Sequence, residues 1–138
     1  MRMSGIQQWV LRRQLATTSV QAHRRALKSF YDSALRSVGL PLFDTPQYAD
    51  PVLLRYPVRV AHKRQVLQEA KRRGIELGDW YNYAIDCPES LPAESFGYRD
   101  GMCPEGECAA AEVVNLPMHA KVTEQMATQA VKLLKDFA

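Results

Sequence analysis

The chain has few cysteines, no long apolar run and no glycine-rich loop behind a strand. Cys87, Cys103 and Cys108 are an odd count without framework spacing, which argues against a disulfide scaffold and fits a reducing compartment. No stretch approaches the roughly 18 apolar residues of a membrane span. Met1-Arg2-Met3-Ser4-Gly5 lacks the apolar centre of a secretory signal. A cytoplasmic setting with no membrane partner is therefore expected. The glycine-rich turn that cradles phosphates after a strand is also missing.

The metal and thiol chemistries read weakly. Cys103 and Cys108 are separated by four residues, and His119 is at best a third ligand, whereas structural zinc wants four. Cys87 or Cys108 with His62 or His119 would make a nucleophile pair, but nothing local supports it. Arg12-Arg13 and Arg24-Arg25 could meet phosphate, yet no recognition motif or stacking aromatics accompany them, so no nucleic-acid partner is expected.

What is present is an ordinary globular composition with a lopsided charge. Apolar residues make up 46% and charged residues 24% of 138 residues, enough for one domain burying about 68–70% of its unfolded surface. Residues 1–75 hold 14 Lys and Arg against 4 Asp and Glu, and residues 76–138 hold 4 against 11. The basic pairs recur at helical spacing instead of forming one block, which describes solvated helix faces.

Periodicity orders the elements. Ser4 caps a helical pattern that runs to Val38, with one possible break at Ala16-Thr17-Thr18-Ser19. Ile6, Trp9, Val10 and Leu15 precede that break; Val20, Leu27, Tyr31, Ala34 and Val38 follow it. An unbroken helix of about 33 residues would be about 50 Å long, against a diameter of roughly 37 Å for a compact chain of this length. Such a helix outruns its own domain, and its first half lacks cover. Pro41, Pro46 and Pro51 then mark an extended linker. Leu53 to Val60 reads as a strand, an edge or bulged one because Pro57 cannot donate. His62 to Arg73 reads as a helix stopped by Gly74, and Ile75 to Leu77 as a short strand. Cys87 to Pro104 is a surface loop by composition. Glu105 to Glu112 is a short helix opened by Pro104, Val113 to Leu116 a strand, and Thr123 the cap of a last amphipathic helix. Few strands, each followed by helical cover, predict an α+β fold: a small antiparallel or mixed sheet with helices on one face, preceded by the long helix.

Trp80, Tyr81 and Asn82 sit at the tip of the short strand and form the best candidate ligand rim, with aromatic faces for stacking and an amide to orient a polar group. The same residues would also suit a core or interface edge.

Several of these stretches, taken together, resemble the last third of DegT/StrS-type (DegT/DnrJ/StrS) sugar aminotransferases. The resemblance is carried by Arg2-Met3-Ser4 with Gln7 and Arg13-Gln14-Leu15, by Arg24-Arg25 with Tyr31 and Leu35, by Tyr56-Pro57-Val58, by Arg73-Gly74-Ile75, and by Val113-Val114-Asn115-Leu116-Pro117-Met118-His119 with the helix from Thr123. It implies an aspartate-aminotransferase-like fold and pyridoxal 5'-phosphate as cofactor. It further implies amination of nucleotide-linked keto sugars, in polysaccharide or antibiotic biosynthesis, by a homodimer with sites between subunits. Residues 1–39 would then be the connecting helix and residues 40–138 the small C-terminal domain.

By the same resemblance the Schiff-base lysine, the aspartate facing the pyridine nitrogen and most of the phosphate cup belong to a large domain upstream. This chain is then expected to carry no catalytic residue and, alone, to bind no cofactor. Arg2 would be the tail of a loop that reaches the partner subunit's cofactor phosphate, and Trp80, Tyr81 and Asn82 the substrate-side residues. Asp79-Trp80-Tyr81-Asn82 stands where the family often has a His-Tyr pair, and Cys87 to Cys108 departs from the family pattern, so the acceptor sugar stays open. The alternative from another class is a stand-alone interaction module whose basic helix binds an acidic partner.

Overall fold

Ser4 and Gln7 open the fold with a reciprocal cap. The Gln7 N–H donates to Ser4 Oγ at 3.3 Å, and the Ser4 N–H donates to Gln7 Oε1 at 2.8 Å, which satisfies donors that a helix start leaves unpaired. The helix so started is α1 (Gly5–Leu15). After it come α2 (Ser19–Ser37), β1 (Tyr56–Arg59), α3 (Lys63–Arg73), a 3-10 turn at Ala93–Phe96, α4 (Pro104–Glu112), β2 (Val113–Leu116) and α5 (Glu124–Lys135). The computed structural model describes residues 3–15, 19–42, 51–80, 82–85 and 91–138. The expected long helix is thus seen as α1 and α2; of the possible break at Ala16-Thr17-Thr18-Ser19, Ser19 opens α2 and residues 16–18 lie outside the described residues.

The core is built where three apolar stripes meet. Leu27, Tyr31 and Leu35 recur every four residues along α2 and are buried. Opposite them α5 brings Ala127, Ala130, Val131 and Leu134. Tyr56, Val58 and Val60 of β1 and its continuation join Val114 and Leu116 of β2 in the same cluster, so one face of the sheet is covered by helices. That is the α+β layer expected from the sequence. Thr123 caps α5 by accepting from the Met126 N–H at 3.2 Å, and Gly74 ends α3 in the left-handed region at φ 67°, a conformation glycine reaches without a Cβ clash.

The strands are antiparallel, with Tyr56 opposite Leu116 and Pro57 opposite Asn115. Asn115 exchanges both backbone hydrogen bonds with Gly78, at 2.7 and 2.9 Å. Pro57 therefore sits at a pair where its strand bonds point away from β2, and its missing N–H disrupts nothing. Two strand expectations are corrected here. Leu53 to Arg55 does not extend the ladder, because β2 offers only four residues, and these pair with Tyr56–Arg59. Ile75 to Leu77 contributes the single bridge at Gly78 instead of a strand.

Past β2 the chain turns, and α2 holds the turn. Tyr31 donates its hydroxyl to the Pro117 carbonyl at 3.0 Å, Arg24 Nε donates to Met118 O at 3.3 Å, and His23 Nε2 lies 3.2 Å from His119 O. Three successive carbonyls that the strand can no longer pair are thereby satisfied by side chains. Burial first, then the charge of Glu76, pushes the Tyr31 hydroxyl well above its ordinary pKa.

Candidate functional site

Lys63 organises the segment that carries the candidate rim. It opens α3, where the helix dipole disfavours a cation, and it is only 9% exposed. Its Nζ lies 2.8 Å from Asp79 Oδ1, and it donates to Ala110 O at 2.8 Å and to Asn82 Oδ1 at 3.2 Å. One ammonium thus joins α3, α4 and both ends of the Asp79–Asn82 stretch. Between those ends Trp80 stands half in solvent, with the Arg55 guanidinium 3.9 Å from its ring centroid, a stacking cation–π contact. Tyr81 and Arg2 lie outside the described residues.

The structure separates Trp80 from Asn82. Asn82 is exposed and lines a cavity of about 590 Å³ with Tyr83, Ile85, Tyr98, Glu107 and Ala110. Trp80 is reached instead through Arg55, which lines a smaller cleft of about 280 Å³. In the larger cavity Glu107 fastens the loop before α4. It accepts from Tyr98 Oη at 2.5 Å, from the Gly101 N–H at 2.7 Å and from the Cys103 N–H at 3.4 Å. The Tyr98 bond, then those backbone donors, hold its carboxyl below the usual range, and the same bond pushes Tyr98 up to about 12. A carboxylate so surrounded is a structural acceptor and a poor base.

Among the described residues the thiols carry no visible nucleophile. Cys103 is exposed and Cys108 half-buried, both free, and hydrogen bonding to Glu112, then burial, raises the Cys108 thiol. A reactive thiol needs the opposite shift. Cys87 lies outside the described residues. Among the described residues no three His, Cys, Asp or Glu converge to hold a metal. No described helix is long and apolar enough to cross a membrane.

Sequence reasoning missed Lys63 and Arg55. For Lys63 a signal existed, a lysine in the first turn of a helix. Arg55 left none, since only the folded chain sets it on Trp80.

Comparison with known proteins settles the family. The model of the DegT/DnrJ/EryC1/StrS aminotransferase family matches residues 1–135. The chain belongs to this family. A DegT DnrJ EryC1 StrS aminotransferase from Brucella abortus shares the fold at a TM-score of 0.76 and 21% identity, over 99% of this chain and 36% of that one. The structure of S. venezuelae DesV in complex with ketimine intermediate is similar at a TM-score of 0.74 and 28% identity, over 98% of this chain and 36% of that one. A "Pleiotropic regulatory protein" of Geobacillus stearothermophilus is 26% identical over 117 residues, 83% of this chain and 31% of that protein. The family member described here therefore spans about a third of the length of the relatives it matches.

Proposed function

We propose that this chain is the small C-terminal domain, with its connecting helix, of a pyridoxal-phosphate-dependent aminotransferase that aminates a nucleotide-linked keto sugar. The observation that carries the reading is the family match over residues 1–135 in a chain about a third as long as its relatives. α1 supports it: Ile6, Trp9, Val10 and Leu11 are all exposed, and an apolar helix bare in its own chain suits a further domain or a second subunit. On this reading residues 1–39 connect, residues 40–138 form the small domain, and the intact enzyme is a cytoplasmic homodimer.

Pyridoxal phosphate, when bound, supplies the electron sink through which an amino group passes from donor to acceptor. Its lysine belongs, on this reading, to residues outside this chain. Lys63 Nζ is already engaged by Asp79, Asn82 Oδ1 and the Ala110 carbonyl, so it is not free to reach a cofactor. Lys28 is paired with Asp32, and Lys71, Lys121, Lys132 and Lys135 are exposed on the surface. The residues of this chain do not fit the cofactor by themselves. Their part is to meet the acceptor at separate points: Trp80, backed by Arg55, as a flat apolar face, and Asn82, with Tyr81, as polar contacts at the larger cavity. Arg2, outside the described residues, would by the family resemblance belong to the tail of a loop directed at the partner subunit's cofactor phosphate.

The test uses the full-length protein. Trp80→Ala and Asn82→Ala should each lower kcat/KM for the sugar acceptor by about tenfold, the scale of one lost binding contact, while leaving the reaction with the amino donor unchanged. An unchanged acceptor kcat/KM in both variants ends the assignment. A stand-alone module acting through a basic helix has less support, because Arg24 and Lys28 of α2 already engage Met118 O and Asp32.

A further inference from the structure

The geometry points to an oxyanion-binding site in the smaller cleft, made by Arg55, Arg24 and the side-chain amide of Asn115 and taking a phosphate or carboxylate of a small molecule. The cleft lies between α2, the Glu76–Gly78 segment and the turn after β2, and holds about 280 Å³. Three observations converge on it.

The first is an orphan donor. Asn115 is 5% exposed, and its Nδ2 is buried without any hydrogen-bond partner, although buried polar groups are nearly always paired. Both backbone groups of Asn115 are fixed on Gly78, which holds the residue in place at the wall of the cleft. The partner it lacks is an acceptor.

The second is how closely Gly78 lets the donors approach. A Cβ at Gly78 would stand 3.1 Å from Asn115 Cβ and 3.3 Å from Arg55 Nη1. The absence of a side chain there lets both residues come close to the Gly78 backbone without shifting. A charged fork and a neutral amide from two residues that line one cleft are the donors an oxyanion takes.

The third is the charge balance. Arg55 is held by the Trp80 ring, and stacking of a guanidinium leaves its in-plane N–H groups available. Arg24 anchors one nitrogen on Met118 O. Among the described residues, neither guanidinium is paired with a carboxylate. Glu76 is the one acidic lining residue, and it is turned onto His119 Nε2 at 2.9 Å. Two guanidiniums and an unpaired amide against one engaged carboxylate favour an anion over a cation. This inference does not depend on the aminotransferase reading, and either can fail without the other.

The two tryptophans of the chain make the test direct. In the full chain carrying Trp9→Phe, Trp80 is the sole tryptophan, and its fluorescence reports movement of Arg55. Fluorescence also permits dilute protein, which limits any association through the exposed apolar residues of α1. Inorganic phosphate and acetate are titrated separately, with chloride holding ionic strength constant. The expected result is a saturable change with one or both, and the anion that saturates at the lower concentration identifies the class. Arg55→Gln should weaken it by about tenfold or more, as loss of a charged hydrogen-bond partner does. Because Arg55 is exposed, that variant leaves the core intact. Arg72→Gln, on the outer face of α3, should change nothing. Absence of saturation with both anions, or an equal loss in Arg55→Gln and Arg72→Gln, overturns the site and leaves only general screening.

Discussion

Lys63 and Asp79 meet at 2.8 Å, a buried ammonium against a half-exposed carboxylate, and this pair sets where Trp80 stands. Replacing the ammonium should therefore act on the rim before it acts on the core. Lys63→Met leaves the Ala110 carbonyl and Asp79 without their donor and is expected to lower stability by about 1–3 kcal/mol. The lower half of that range is favoured because water reaches Asp79. Lys63→Arg should recover part of the loss. A denaturant titration of the three proteins measures both, and equal midpoints for Lys63→Met and the parent would refute the role.

Tyr31 predicts an alkaline limit. Its hydroxyl has a raised pKa through burial and the nearby Glu76 charge, so above about pH 10 the unfolded chain gives up a proton that the folded chain keeps. Stability is full below that pH and falls as pH rises toward the folded value. Tyr31→Phe should cost about 1 kcal/mol at neutral pH through the lost bond to Pro117 O, and its stability should fall less steeply above pH 10. Unfolding midpoints across that range check the sign.

Glu69 predicts the acid limit. The Arg72 hydrogen bond first, then Arg73, lowers its pKa to about 2. Its contribution is present above the ordinary carboxylate pKa of 4.5 and fades as pH drops from there toward 2. Glu69→Gln should lack that contribution near neutrality and show a shallower loss of stability over the window, so that the two proteins converge as pH falls toward 2.

Leu134 and Ile6 make a contrast between core and cover. Leu134 is fully buried, and Leu134→Ala should cost about 2–5 kcal/mol. Ile6 is 77% exposed, and Ile6→Ser should leave the unfolding midpoint within about 0.5 kcal/mol of the parent. Paired with Trp9→Ser, it should reduce self-association in sedimentation velocity. Unchanged association would mean that another surface drives it.

Local rules made much of the fold legible. Gly74, Thr123, Pro104 and Ser4 mark helix ends through chemistry that needs no tertiary partner, and each ends or starts its helix as read. The strands were harder, because a strand exists only as far as its partner does. Leu53 and Leu54 have the composition of β1 but nothing in β2 to pair with, and of the Ile75–Gly78 stretch only Gly78 reaches Asn115. The site was the least legible. Lys63 finds its acceptors 19 and 47 residues away, and no pattern along the chain records that meeting. Asn115 reads as an ordinary strand residue until its neighbours are placed and its amide is found alone.

Pro57 has a consequence for how this chain clumps. Its ring nitrogen faces the outer side of β1, where an incoming strand would look for a donor, and on the far side of β2 the middle residue, Asn115, is already bonded to Gly78. Neither flank of the two-stranded ribbon offers an unbroken template for a further strand. Growth of cross-β fibrils from the folded state is blocked at its first step. Association through the exposed apolar residues of α1 is the expected route instead, and dilution should reverse it.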